Sequence, residues 1–379
     1  MLNLSTPFPK PVVAIRAQLP ALAVNDFNSS AANSCLNRST LSIQSSALLA
    51  TRTLNGPDSS FMIATCLAHA NGAVLPSLYA WDSMDLRMDS SDAKEPSTGG
   101  PVEAARRVYA EELRVHAHMT SDALFAAFAT VPRERFVGPG PWRILGEDGL
   151  WKTEDADPRQ IYHNVLIALD EGKGINNGQP SLWALHLDRL GVRTGDHLLH
   201  LGCGTGYYTA ILAEVVGPDG KIRAVDIDER MAEWASMALA PWPQVTVEHG
   251  DGCGGPFGPV DVIVVSAGAT HPPAAWLAAL KPGGRLLFPV TPDMGSGAMA
   301  HLTRTSAESF ASRLMFGAQF IPFSGARDRD VSRQLVQALS RDQGAGVRSL
   351  RCDLHEKEDS CWLHGEGWCF SSREPVVLD

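Results

Sequence analysis

Between residues 197 and 208 the chain reads HLLHLGCGTGYY, and that stretch decides the fold. Residues 197–201 form an apolar run of strand length. Gly202, Gly204 and Gly206 then let the backbone turn tightly and come close to a ligand. Helical spacing follows at once, so a helix start places unpaired N–H groups and a partial positive charge beside the turn. Working outward, short apolar runs (222–225, 245–247, 260–265, 285–288) alternate with helical patterns (208–216, 230–239, 276–280). Strand, turn and helix in this rhythm predict an α/β fold, a doubly wound, mostly parallel Rossmann-like sheet covered on both faces.

Asp226 ends the next apolar run, 20 residues beyond Gly206, where a carboxylate can accept both hydroxyl protons of a ribose. At 247–252 the chain reads VEHGDG, so Asp251 and Gly252 stand where a group after a third strand would meet an adenine amine. Taken singly, the glycines also fit a plain packing turn, and Asp251 a turn aspartate. A dinucleotide and S-adenosylmethionine both contain an adenosine. Tyr207 and Tyr208 follow the third glycine directly, which departs from the dinucleotide fingerprint and favours S-adenosylmethionine. The pattern resembles the class I methyltransferases. That resemblance implies that Gly202, Gly204, Thr205, Gly206 and Tyr207 surround the methionine part of the cofactor, with Asp226 on the ribose and Asp251 and Gly252 at the adenine.

A narrower resemblance covers residues 106–328. In order come VPRERFV (131–137), residues 162–167, GQP (178–180), the glycine turn, GDG (250–252), KPGGRL (281–286) with Pro289, and FIPF (320–323). These collinear landmarks are similar to those of the protein-L-isoaspartate (D-aspartate) O-methyltransferases. The resemblance implies one reversed strand near 310–321 and a short helical N-terminal part over the cofactor. Its substrate is a protein or peptide carboxylate, as in protein repair, and its members are mostly monomers. In that family a Ser before Gln-Pro orients the substrate carboxylate; here the position is Gly178. Asn177, Asn176 or Ser181 is the candidate replacement donor, so the catalytic candidates are Asn177, Gly178 and Ser181, with a plain Asn-Gly turn as the alternative. Gly178→Ser is expected to raise isoaspartyl methylation, and Asp226→Ala to abolish cofactor binding with the fold intact.

A carboxylate with a pKa of roughly 4 is already ionised at neutral pH, so methyl transfer to it needs positioning rather than a general base. No Asp-Pro-Pro-Tyr-like tetrad follows the fourth strand; residues 264–269 read VVSAGA. His271 is close enough in sequence to serve as a base, but a loop histidine facing solvent is the better account of it.

The formal charge of -10 at pH 7 opposes unspecific nucleic-acid binding. An odd count of 7 Cys suits a reducing cytoplasm, and no apolar run reaches the roughly 18 residues of a membrane span. Residues 1–100 are expected to be a disordered leader and linker, with a transit-type or signal-type leader as variants. Residues 101–328 form the methyltransferase domain, whose first helices are expected at 102–119 and 123–131. Residues 329–379 are a helix (331–339) and a Cys/His tail. There Cys352, His355, Cys361, His364 and Cys369 resemble a zinc set, yet the knuckle glycines are missing and the aromatics suggest packed strands, so no metal is expected. A methyltransferase for another carboxylate and a non-catalytic adaptor that binds the cofactor remain alternatives.

Overall fold

The computed structural model describes residues 69–70, 73–74, 100–146 and 149–377. Two units are separable, Met1–Asp92 and Ala93–Asp379. In the first, β1 (His69–Ala70) pairs antiparallel with β2 (Ala73–Val74). Apart from those residues and Gly100, the leader and linker expected over 1–100 lie outside the described residues.

The second unit opens with α1 (Pro101–His116), begun by a proline whose fixed φ suits a first helical turn, and α2 (Asp122–Thr130). The Ser121 hydroxyl caps α2 by accepting the Leu124 N–H at 3.2 Å. After α2, four short strands form a small antiparallel sheet: β3 (Arg143–Gly146), β4 (Gly149–Lys152), β5 (Leu166–Asp170) and β6 (Ile175–Asn176). Glycines bound β3 and β4, and every residue of β4 is exposed, so no apolar alternation marks them. Arg133 joins this sheet to the helices. It is fully buried and donates to the carbonyls of Ile161 (2.5 Å), His163 (2.9 Å) and Val165 (2.6 Å), with its guanidinium near the Tyr109 and Tyr207 rings.

After α3 (Pro180–Leu190) the expected rhythm is borne out: β7 (His197–Leu201), α4 (Tyr207–Val216), β8 (Lys221–Asp226), α5 (Glu229–Ala238), β9 (Val245–His249), β10 (Val260–Val265), α6 (Ala274–Ala279) and β11 (Leu280–Val290). Strands β11-β10-β7-β8-β9 are parallel neighbours. Alternate residues take opposite faces, which is the period of a strand. Leu198, Ile222, Val262 and Val264 pack with side chains of α1 to α4, whereas Leu199, Leu201, Ile263 and Val265 pack under α6 and the later α7 (Arg329–Asp342). Each such aliphatic side chain contributes about 1.5–3 kcal/mol by burial.

Beyond β11 the sheet grows by antiparallel pairing through β12 (Gly297–Arg304), β13 (Ser309–Ala318), β14 (Ser349–Arg351), β16 (Trp368–Ser371) and β15 (Cys361–Gly365). The strand expected near 310–321 exists as β13, but the reversed neighbour of β11 is β12, and β13 runs with β11 again. Gly297, Ala298 and Ala300 give β12 little strand signal of their own. The tail after 328 is continuous with this sheet rather than separate from it. Among the described residues no helix is long and apolar enough to cross a membrane.

Candidate active site

At the C-terminal end of β7, Gly202, Gly204 and Gly206 adopt φ of 68°, 57° and 94°, the left-handed region that glycine enters without penalty. The Gly202 N–H donates to Val225 O at 2.8 Å, and the Gly204 N–H to Asp226 Oδ2 at 2.7 Å. A Cβ at Gly206 would stand 2.7 Å from Leu239 Cδ1, so the turn also needs glycine for space. Asp226 accepts a second backbone proton, from Asp228 at 2.9 Å. Burial pushes its carboxyl above the ordinary 3.8, while these two N–H groups pull it back.

A cavity of about 690 Å³ opens on this turn. Its far wall is the loop Asn176, Asn177, Gly178, Gln179 with Trp183 of α3, and its roof is the segment 319–324. That roof is stitched to Gly268: the Gly268 N–H donates to Ile321 O and the Phe323 N–H to Gly268 O, both at 2.8 Å. Asn177 is buried, its Oδ1 accepts the Ile167 N–H at 2.7 Å, and its Nδ2 has no hydrogen-bond partner. Asn177 borders the cavity, but this Nδ2 is sealed from solvent and would have to turn outward to meet a carboxylate oxygen. Gly178 has φ 75°, its carbonyl accepts the Tyr208 hydroxyl at 3.0 Å, and a Cβ there would lie 2.5 Å from Trp183 Nε1.

Several residues singled out in the sequence stand differently. Thr205 borders the cavity, but its hydroxyl donates to Phe136 O at 2.6 Å and ties the glycine turn to the N-terminal helical part. Tyr207 also borders it, with its hydroxyl 3.4 Å from that of Tyr109 in the core. Gly252 lines the cavity, whereas Asp251 is exposed outside the lining and accepts the Cys253 N–H at 2.8 Å, an aspartate turn. Ser181 sits in the first turn of α3, away from the lining, with its N–H on Asn164 Oδ1 at 2.9 Å. His271 stacks on Trp368 at 5.6 Å and 9°, outside this cavity, so it is no base for the reaction.

The sequence reading missed Lys173, Tyr208, Trp183 and Asp228. Lys173 pairs with Asp228, which also caps α5 through Arg230 N and Met231 N, so the pair closes the cavity beside Asp226. Adjacency to the glycine turn was the available signal for Tyr208; none existed for Lys173. Below the turn, the ring of His200 is held between Thr209 Oγ1 and Ser266 Oγ, each at 2.8 Å, and burial pushes its pKa down to about 3. It is therefore a neutral strut rather than an acid or base.

The family model of protein-L-isoaspartate(D-aspartate) O-methyltransferase matches residues 153–328. A protein-L-isoaspartate O-methyltransferase of Methanothermobacter thermautotrophicus is 30% identical over 224 residues, 58% of this chain and 95% of that one. Protein-L-isoaspartate O-methyltransferase 1 of Rhodopseudomonas palustris is 32% identical over 227 residues, 59% of this chain and 84% of the relative. Among solved structures, a protein-L-isoaspartate O-methyltransferase superposes with TM-score 0.50 at 24% identity over 62% of this chain and 69% of that one, a likeness of fold. With the landmarks in order, nearly the whole length of its relatives matched and the same sheet underneath, the chain belongs to the protein-L-isoaspartate (D-aspartate) O-methyltransferase family.

Proposed function

We propose that the protein is an S-adenosylmethionine-dependent O-methyltransferase that esterifies a carboxylate, that of isoaspartyl residues in proteins or peptides. The observation that carries this reading is a single cavity joining the glycine turn and Asp226 to the Asn177–Gly178 wall. S-adenosylmethionine supplies an electrophilic methyl group. A carboxylate oxygen forms the new C–O bond as the C–S bond breaks, and S-adenosylhomocysteine leaves with the electron pair. The chain's part is to hold the reactants in line and keep water out, which can lower a barrier by several kcal/mol. In this reading Asp226 takes the ribose hydroxyls, the 202–206 turn approaches the methionine part, and Asn177 Nδ2 donates to the substrate carboxylate. The reading extends to a monomer in the cytoplasm with no nucleic-acid partner, the last of these supported by the net charge of -10.

A methyltransferase for a different carboxylate is the second reading, favoured by the wall being built around Gly178. The geometry weighs against the expectation that Gly178→Ser raises activity. At its left-handed φ a Cβ would lie 2.5 Å from Trp183 Nε1, so the Trp183 side chain or the loop would have to move. Gly178→Ser is instead expected to destabilise by about 1–3 kcal/mol and to lower methylation, read as a reduced melting temperature and kcat/KM. A gain in kcat/KM at unchanged stability would remove this assignment of Gly178.

The function itself is tested with labelled S-adenosylmethionine and two peptides differing only in Asp or isoAsp at one position. Base-labile methyl ester on the isoAsp peptide alone is expected. Cofactor binding with no ester on either peptide would reject the isoaspartyl substrate.

A further inference from the structure

The C-terminal hairpin gathers four soft or borderline ligands that the methyl-transfer site does not use. One ligand atom each from His355, Cys361, His364 and Cys369 lies within 4.8 Å of all the others. The fold explains why residues so close in sequence can converge. His364 and Cys369 are cross-strand partners in the β15–β16 pair, which places their side chains on one face. Cys361 and His364, three apart on a regular strand, would point to opposite faces. A register shift between Cys361 and Leu363 adds one residue there and turns Cys361 onto the face of His364 and Cys369. The loop before β15 then brings His355 in: its Nε2 is 3.6 Å from Cys361 Sγ, and its ring centroid is 4.9 Å from that of His364.

Those spacings suit a tetrahedral ion. With Zn–S near 2.3 Å and Zn–N near 2.0–2.1 Å, the edge between a sulfur and a nitrogen ligand is about 3.6 Å. The surroundings are also those of a metal site. His355 Nδ1 is 2.8 Å from Asp353 O, which orients the ring and leaves Nε2 for an ion, and the Glu358 N–H points at Cys361 Sγ from 3.3 Å. Arg351 holds the same loop through Asp353 (2.6 Å) and Glu358 (2.5 Å). His364 Nδ1 is buried without a hydrogen-bond partner. Two thiolates would neutralise a divalent cation, and a mixed sulfur and nitrogen tetrahedron favours zinc.

We propose that His355, Cys361, His364 and Cys369 form a structural Zn²⁺ site that clamps the C-terminal hairpin. All four positions are filled by the chain, leaving no open position for water or substrate, so the ion's role is to hold the fold. The hairpin it closes carries Trp368, which packs on His271 of the methyltransferase domain. The absence of metal expected from the sequence therefore gives way to a specific ligand set, from which Cys352 is excluded.

The test uses the full chain, purified under reducing conditions from zinc-replete cells without chelator, with elemental analysis and Co²⁺ substitution. About one zinc per chain is expected, and cobalt should give tetrahedral ligand-field bands with thiolate charge transfer. Cys369→Ser should lose zinc, whereas Cys352→Ser should retain it. Should Cys369→Ser fail to fold, the intensity of thiolate charge transfer in the parent protein decides between two sulfur ligands and fewer. Zinc-free protein that takes up no cobalt, a Cys361–Cys369 disulfide in the reduced preparation, or zinc lost from Cys352→Ser and kept by Cys369→Ser would each overturn the site.

Discussion

Asp226→Asn is expected to weaken S-adenosylmethionine binding about 100-fold, measured by calorimetry on protein whose far-UV spectrum is unchanged. Hydrogen bonds to a charged acceptor are each worth about 1.5–3 kcal/mol, and tenfold in affinity corresponds to about 1.4 kcal/mol. Asparagine keeps the size of the side chain but offers one acceptor oxygen where two are needed. Alanine is the poorer probe, because Asp226 also accepts the N–H groups of Gly204 and Asp228; Asp226→Ala would release the glycine turn as well as the ligand. This corrects the expectation that the alanine variant leaves the fold intact. Asp251→Asn is expected to change affinity less than about threefold (under 0.7 kcal/mol), since that residue is exposed, is not part of the cavity lining and already accepts the Cys253 N–H. Equal losses in the two variants, or none at Asp226, would remove Asp226 from the ribose position. Affinity should also fall in acid, from a pH above the ordinary aspartate value, because burial raises the Asp226 pKa.

Acid should destabilise the protein well before its ordinary carboxylates titrate. His186 of α3 and His301 of β12 are hydrogen-bonded at 2.8 Å, and burial lowers their pKa values to about 3 and about 4, beside about 3 for His200. In the unfolded chain all of them bind protons near 6.5. The folded pKa values are depressed, so this stability is complete above 6.5 and is lost as pH falls toward 3–4. Each unit below 6.5 costs about 1.4 kcal/mol per histidine, hence about 4–6 kcal/mol for the group at pH 5 once the mutual coupling of His186 and His301 is discounted. That is a large share of the 5–15 kcal/mol typical of folded proteins. Thermal melts at pH 7.5 and 5.0 should differ by more than 10 °C, roughly 2–4 °C per kcal/mol for a domain of this size. The double variant His186→Gln/His301→Gln should show a shallower dependence, which also separates this effect from acid release of zinc. Melting temperatures that agree within about 2 °C across that range would refute the neutral-histidine account.

What the sequence made legible follows from how local its signals are. β7, the three glycines, α4 and β8 announce themselves within 30 residues, by apolar runs, forbidden-φ turns and helical period. The site's direction does not have that property. Asp251 and Gly252 are neighbours, yet one turns outward and the other lines the cavity. The closeness of Gly178 to Trp183 depends on α3 folding back over its own leading loop. β12 opens on the small residues Gly297, Ala298 and Ala300, and its strand character comes from pairing with the strands on either side of it, β11 and β13. In the tail, spacing alone makes Cys352 look equivalent to Cys369; only the added residue in β15 decides which thiols share a face.

The same short hairpin has a consequence for how the molecule meets its neighbours. Without the strands after α7, the sheet would end at β13, a ten-residue strand with unpaired backbone groups along one side. Such an edge is a template on which another chain can polymerise. β14 covers the first three residues of β13, Ser309–Ala311, and over that part of the sheet the outermost strand becomes β15, five residues long and interrupted by its register shift. A short, kinked border of this kind resists strand-by-strand recruitment along the part of β13 that the extension covers.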